Sequence, residues 1–411
     1  MKRIISSLLV LLMLLSCFTM SGCTKLNKTN KEEKKEEKEE AMVLKDEDAL
    51  ETFMIADFES YEEIIRMKSK NSLGTLTENR DRTFMKSGHQ SLKLKVHGRE
   101  NLNYIMNQEP MLEIYTTVES IGKVDYSNYN EFRICMYNAM DYDVMMQFMV
   151  NDIYANRRAI WLTPGWNDVV IDIDPVLYQE LLGVDKINKF QFIFDRGELH
   201  EEKEVVYLDA FRAVRTKEIS SKLTYEITDG IINNFEQQHD LNYVLNGCYG
   251  YSGEYYVGNG LTESVFNNSG SALRIHAAVT DPLRTDIIDE WRIALMRPEL
   301  LTDLDLTQYQ NQYVCFDLYN NGEQAVQVYV YYYQEAKQVQ GTKETFMVAP
   351  KETLNFKQLF STVLESEYGN GKKWKDETSW TGLMIGFDIP HTDTGDAPVD
   401  LIVDNYRFEA K

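Results

Sequence analysis

The sequence predicts an all-β protein: two tandem β-sandwiches behind an N-terminal leader and a charged linker. Three observations predict it. Apolar and polar residues alternate in short runs divided by turn residues, with little sustained helical periodicity, which is the pattern of half-buried strands. One set of landmarks occurs twice, in the same order, over about 155–175 residues each time. After the leader and its cysteine only Cys135, Cys248 and Cys315 remain, an odd set without regular spacing, so stability is expected from large cores and not from a disulfide framework.

The elements follow in chain order. Residues 1–22 read as a secretory signal, with Lys2 and Arg3, an apolar run from Ile4 to Leu15 and small residues before Cys23. The run is too short to be a comfortable permanent span. Met20-Ser21-Gly22-Cys23 resembles a bacterial lipobox, and the resemblance implies cleavage before Cys23 and acylation of its thiol; an ordinary cleaved signal with a chance cysteine is the alternative. Residues 23–50 are expected to be a tether. Between Thr24 and Glu40 there are six lysines and six glutamates, but Lys31/Lys35, Glu32/Glu36, Glu33/Glu37 and Lys34/Lys38 are like-charge pairs that repel on a helix. As a disordered segment it reaches roughly 20–25 Å. The expected location is outside the cytoplasmic membrane, held there by lipidated Cys23. The formal charge is −22, and loss of Lys2 and Arg3 with the leader makes it more negative. Such an acidic surface disfavours nucleic acid, whose binding depends on cations that displace counterions.

The two modules are read as residues 51–217 and 228–411, joined near Lys217–Asp229. Ile55-Ala56-Asp57-Phe58-Glu59 recurs as Ile232-Asn233-Asn234-Phe235-Glu236. Ser87-Gly88 before one strand recurs as Ser269-Gly270 before another, Asp125 to Tyr129 as Asp305 to Tyr309, Tyr137-Asn138 as Tyr319-Asn320, and Tyr207 to Arg212 as Ile402 to Arg407. Phe132, Ile134 and Met136, with Val314, Phe316 and Leu318 in the second copy, are expected core faces. Val144, Met146, Phe148 and Val150, with Val326, Val328, Val330 and Tyr332, are expected to form the next. Short helical insertions are expected around Val176–Gly183 and Leu359–Tyr368.

These landmarks, with the turn Pro164-Gly165-Trp166-Asn167 and the closing strands around Asp209 and Asp404, resemble galactose-binding-like jelly rolls, a superfamily that includes many carbohydrate-binding modules. The second copy departs at its turn, where Val348 to Glu352 lacks Gly-Trp. The resemblance implies jelly-roll sandwiches and glycan binding. It further implies a structural calcium ion tying first strand to last, at Glu59 with Asp209 and at Glu236 with Asp404, where bonds between these acids and the strand ends are the plainer account.

In Val326–Gln334 the valines alternate with Gln327, Tyr329, Tyr331 and Tyr333. If the valines face the core, the tyrosines form an outer ladder about 7 Å apart, suited to the apolar faces of sugar rings, unless a loop or the other module covers it. Asp317 and Trp291 are the expected additional contacts. The same columns in the first copy hold Met145, Gln147, Met149 and Asn151, poorer partners for a ring, so the second module is the expected binder and the first a spacer, packing partner or second site. Trp166 is expected in the core and Trp161 on the strand before the turn. Trp374 and Trp380 flank a loop. The six histidines show no metal-ligand spacing, and no nucleophile, phosphate-loop or dinucleotide motif occurs. The reading is a non-catalytic lipoprotein that binds a polysaccharide or other glycan. A scaffolding lipoprotein that holds a protein partner is the alternative.

Overall fold

The computed structural model describes residues 41–411 apart from 71–73, 97–110, 117–120, 153–156, 176–182, 195–203, 221–224, 248–254, 267–269, 280–289, 296–305, 335–338, 341–343, 370–371, 374–382, 389–390, 393–394 and 397–398. The leader, Cys23, the Lys/Glu run, most of the insertion expected at 176–183, Trp374 and Trp380 therefore lie outside the described residues. No described helix is long and apolar enough to cross a membrane.

Module 1 contains β1 (Glu51–Ala56), β2 (Lys68–Lys70), β3 (Gly74–Asn79), β4 (Ser91–Val96), β5 (Met111–Tyr115), β6 (Glu131–Asn138), β7 (Val144–Val150), β8 (Arg158–Leu162), β9 (Gly165–Asp172), β10 (Lys189–Phe194) and β11 (Val205–Arg215). They form two antiparallel sheets, β3-β4-β11-β6-β9 with β1 also on β11, and β2-β5-β10-β7-β8. A one-turn helix, α1 (Tyr61–Arg66), is capped by Ser60, whose side chain accepts from Glu63 N–H at 3.1 Å.

Module 2 repeats this with β12 (Ile231–Asn233), β13 (Leu245–Gly247), β14 (Tyr255–Glu263), β15 (Ser271–Val279), β16 (Glu290–Ala294), β17 (Gln312–Asn320), β18 (Val326–Gln334), β19 (Val339–Gln340), β20 (Glu344–Val348) and β21 (Thr353–Leu359). After α2 (Phe360–Glu365) come the ribbon strands β22 (Glu367–Gly369) and β23 (Lys372–Lys373), then β24 (Leu383–Asp388), β25 (His391–Thr392), β26 (Gly395–Asp396) and β27 (Val399–Ala410). Its sheets are β14-β15-β27-β17-β21 with β12 on β27, and β13-β16-β24-β18-β19 with β20 on β18. The eleven strands of module 1 each have a counterpart in module 2, which adds β19 and the ribbons β22-β23 and β25-β26, and both modules are jelly-roll β-sandwiches. α2 falls where the second insertion was expected.

Alternation decides what each sandwich buries. Phe132, Ile134 and Met136 of β6 and Val144, Met146, Phe148 and Val150 of β7 lie in one core; Val314, Phe316 and Leu318 of β17 and Val326, Val328 and Val330 of β18 lie in the other. The repeated landmarks have local physical causes. Asn138 donates to the carbonyls of Tyr142 and Leu162 at 2.7 and 2.8 Å, and Asn320 to those of Gln324 and Val348 at 2.8 and 3.0 Å, so each closes its turn onto the partner strand. Phe58 and Phe235 hold left-handed backbone at φ 58° and 54° with fully buried rings, an expensive conformation for a bulky residue. Ala210 and Asn405, at φ 49° and 57°, sit where the last strands shift register against their neighbours.

Residues 41–50, expected to belong to the tether, are fastened to module 1. Met42 and Gly88 exchange backbone hydrogen bonds at 3.1 and 2.8 Å, and Leu50 N–H donates to Arg215 at 2.7 Å. Between them Asp46 receives Arg212 Nε and Nη2 at 2.7 and 2.6 Å and Arg133 Nη1 at 3.2 Å, while Asp48 receives Arg133 at 2.8 and 2.6 Å. The reason lies in the repeat: Arg212 and Arg407 both donate to a carbonyl of the bulge, and Arg407 has Asp317 of its own sheet at 3.7 Å, whereas Cys135 stands at the matching place in module 1. The acid that module 1 lacks in its sheet comes from the strap.

Candidate functional site

The tyrosine strand is where alternation put it, and the first of its three outer tyrosines is covered. The valines of β18 are buried and Gln327 is half-buried, while Tyr329 is 9% exposed, with the Gln327 amide donating to its hydroxyl. Its ladder partners are Gly386 and Thr345. For Tyr331 and Tyr333 the register alone is described, opposite Met384 and Gln340. Trp291 pairs with Phe387, which pairs with Val328, so its register row is that of the valines and not of Tyr329. Asp317 lies on β17, in the other sheet of the sandwich, where Asn405 donates to it at 2.9 Å. The set Gln327, Tyr329, Tyr331, Tyr333, Asp317 and Trp291 is therefore not gathered onto one surface.

The acid pairs of the first and last strands do converge on a shared loop in each module. Glu59 accepts from His89 N–H at 2.9 and 3.0 Å and from Gln90 N–H at 3.2 Å, and Asp209 Oδ2 accepts from Lys86 and Ser87 N–H at 2.6 and 2.9 Å. Asp209 is fully buried, its Oδ1 has no partner among the described residues, and burial, with the Glu59 charge adding to it, pushes its carboxyl up to about 6. A hard cation suits that orphan oxygen, on a carboxyl that also feels the charge of Glu59. Module 2 differs. Glu236 accepts from Gly270 and Ser271 N–H at 3.1 Å, but both oxygens of Asp404 are occupied, by Ser264 Oγ at 2.8 Å and Asn405 N–H at 2.6 Å. Among the described residues no group of three or more His, Cys, Asp or Glu is placed to hold a metal.

The surface with the chemistry of a sugar platform is one that sequence reasoning missed. Thr77, Lys93, Tyr207, Tyr137 and Trp166 stand directly opposite one another across β3, β4, β11, β6 and β9. The row crosses four strand spacings, roughly 19 Å. Its residues share the parity of Arg133 and Cys135, opposite to the core-facing Ile134 and Met136, so the row lies on the outer face of the sheet. Trp166, expected in the core, is half-buried here, as is Tyr137; Tyr207 is buried beneath Phe84, stacked at 4.2 Å and 9°. Tyr137 meets the Trp166 ring edge-on at 5.4 Å. Lys86 Nζ lies 5.0 Å from the Trp166 centroid and Lys93 Nζ 5.5 Å from that of Tyr207. Asn167 holds the tryptophan's turn by accepting from Thr163 N–H at 3.0 Å and donating to Thr163 and Gly165 carbonyls at 2.8 and 3.0 Å.

Beyond Trp166 the row ends at a cleft of about 220 Å³ between the modules, lined by Arg158, Trp161, Asn167, Asp168, Gln238 and Leu261. Here β8 and β9, the edge strands of module 1, meet β14 and the 3-10 turn Gln238–Tyr243 of module 2. Arg274, paired with Asp400 through two 2.8 Å bonds, lies 4.4 Å over the Trp161 ring. Asp172 accepts from Asn242 at 2.8 Å and lies 2.8 Å from His239 Nδ1, and this bond raises the histidine's pKa. The first module is thus the packing partner of the second, through the edge strands β8 and β9; Met145, Gln147 and Met149, on β7 beside β8, are all buried.

Catalytic signals stay weak. The Cys135 and Cys315 thiols are pushed up to about 12 and about 11 by burial, far from the nucleophilic range. Glu63 is raised to about 8 by burial and by its hydrogen bond to Asp57. Two carboxyls bonded to each other cannot flank a glycosidic bond, which needs about 5 Å or more between them.

No family model matches the chain, and no curated protein matches it. Among solved structures it is similar to a family 11 carbohydrate-binding module from Clostridium thermocellum, in complex with a β-1,3-1,4-mixed-linked tetrasaccharide, at 10% identity over 41% of this chain and 97% of that one, with a TM-score of 0.28. A family 61 module in complex with β-1,4-galactotriose gives 11%, 40%, 99% and 0.25. An exo-β-agarase gives 13% identity over 45% of this chain and 27% of that one, TM-score 0.31. At these values the likenesses say nothing of binding or chemistry, and the fold rests on the strand order itself.

Proposed function

We propose that this protein is a non-catalytic glycan-capture protein, held outside the cytoplasmic membrane by acylated Cys23, and that the outer face of module 1 is its principal binding surface. The observation that carries this is the cross-strand row Trp166–Tyr137–Tyr207, in which Trp166 and Tyr137 are half-buried, Tyr207 lies covered beneath Phe84, and Lys86, Lys93, Thr77 and Asn167 flank the rings. The fold does not require rings at Tyr207 and Trp166: the corresponding row of module 2 reads Gly260, Arg274, Ile402, Tyr319 and Thr353, with an aromatic only at the place of Tyr137. Aromatic faces accept the C–H side of pyranose rings, and the flanking amide, hydroxyl and ammonium groups suit sugar hydroxyls. The test is affinity electrophoresis of the purified protein through gels containing a panel of polysaccharides. Trp166→Ala with Tyr137→Ala is expected to abolish retardation by whichever polymer slows the native protein, and unchanged retardation in the folded double variant would remove the row from the account.

In the same reading Asp209 Oδ1 and Glu59 hold a calcium ion in module 1, which neutralises two acids whose charges repel. At a dissociation constant of about 0.1–1 mM, usual for extracellular modules, about 10 mM calcium stabilises by roughly 1.4–2.7 kcal/mol, or a Tm rise of about 3–8 °C. Without metal, the raised Asp209 pKa means that stability falls as pH rises through about 6. Calcium should therefore raise Tm at pH 7.5 and do little near pH 5. An equal shift at both, or in Asp209→Asn, contradicts the site.

A second reading, scaffolding, draws on the covered Tyr329: a ring buried in this way suits a packing role in module 2. Loss of glycan retardation in Tyr329→Ala but not in the module 1 variant would move the binding surface back to β18.

A further inference from the structure

We propose that the polymer captured on the row of module 1 is an anionic polysaccharide, and that Lys86, Lys93 and Lys95 read its charge. This rests on the glycan-capture reading above and goes on to name the ligand class.

The chain carries 65 acidic against 43 basic side chains, so a surface stretch taken at random is acidic. The stretch wrapped around the row is the reverse. From residue 80 to 95 it holds Arg80, Arg82, Lys86, Lys93 and Lys95 against the single acid Asp81. Lys93 and Lys95 alternate with the buried Leu92, Leu94 and Val96, which puts both on the outer face with exposed Thr75 and Thr77 opposite them. Lys86 and Lys93 lie over the rings of the row. Among the described residues none of the three ammonium groups has a carboxylate partner. The acids nearby are accounted for. Glu78 is paired with Arg80 at 3.1 Å, Asp209 is buried behind the loop and engaged by Lys86 and Ser87 N–H, and Asp168 stands exposed one row away, opposite Cys135.

A lysine resting on an aromatic face can swing on its four-carbon stem. At Trp166 a sugar ring takes the ring face, and the displaced Lys86 ammonium, with Lys93 and Lys95 beside it on the same outer face, meets a carboxylate or sulfate at the sugar's edge. Module 2 cannot do the same, because Arg274, at the place of Lys93, is locked to Asp400 and covered by Trp161.

The experiment uses the full protein and matched pairs of polymers: polygalacturonate and alginate beside their carboxyl-reduced counterparts, and dextran sulfate beside dextran. The expected result is retardation by at least one acidic member with about tenfold weaker binding to its neutral partner, falling as salt is raised. Lys86→Ala with Lys93→Ala should weaken the acidic polymer about tenfold more than its neutral partner, whereas Trp166→Ala weakens both alike. The net negative charge makes non-specific adsorption to a polyanion unfavourable, so retardation points to a built site. Equal binding of both members of every pair, or acidic binding unmoved by the double lysine variant, overturns the inference and leaves glycan capture standing. No retardation by any polymer, including a neutral panel, overturns both.

Discussion

Asp46→Ala is expected to destabilise the protein by about 3 kcal/mol, the cost of leaving a buried charge without its partner. The Asp46 carboxylate and the Arg212 guanidinium are each less than a tenth exposed, and Arg133 shares the same carboxylate. Bidentate geometry makes this a strong pair, and the hydrogen bonds from Arg212, with the Arg212 and Arg133 charges, hold Asp46 below the usual carboxylate range. Since the folded-state pKa is lowered, the contribution is present above the unfolded value and is lost as pH falls through the folded one. Urea melts of Asp46→Ala, Asp46→Asn and the native chain at neutral pH should rank in that order of rising stability. If Asp46→Ala melts with the native protein, the strap is a tether after all.

Gly260→Ala is expected to part the modules. A Cβ there would lie 2.2 Å from the Ala159 carbonyl oxygen and 2.7 Å from the Trp161 ring. The first neighbour is backbone, so no rotamer change relieves it, and overpacking of this kind costs about 1–3 kcal/mol. The cheapest escape is withdrawal of β14 from β8, which also gives up the Arg274–Trp161 stack and loosens Asn242 and His239 from Asp172. Calorimetry should resolve one transition into two, and proteolysis should gain cuts between residues 217 and 229. A single undivided transition in the variant would mean that the interface tolerates the methyl group and the modules do not depend on this contact.

How the sequence relates to the structure depends on the range of each cause. The repeat, the all-β class and the core faces were legible because alternation, turn asparagines and the Phe-Glu and Asp landmarks act within a few residues of themselves. The row was not, since Lys93, Tyr137, Trp166 and Tyr207 become neighbours only through the register of β4, β6, β9 and β11. One signal was available: Tyr137 and Tyr207 share landmarks with Tyr319 and Ile402, and their outer-face parity could have been compared as the parity of β18 was. Asp317 looked close to the tyrosines because β17 and β18 are consecutive, but the hairpin passes from one sheet to the other. Parity also says which side Tyr329 faces without saying what lies over it. Asp46 and Asp48 were read with the Lys/Glu run for want of any local signal, their partners being more than eighty residues away.

Under the proposed function module 1 is both the packing partner and the capturing surface, with its rings on one sheet and its interface at the edge strands next to them. Side-chain footprinting by hydroxyl radicals, with and without the retained polysaccharide, tests this most directly because it reports each aromatic residue separately. The predicted result is slower modification of Trp166 and Tyr137 in the presence of polymer, with the β18 tyrosines unchanged. Protection confined to Tyr331 and Tyr333, or none at Trp166, would contradict it.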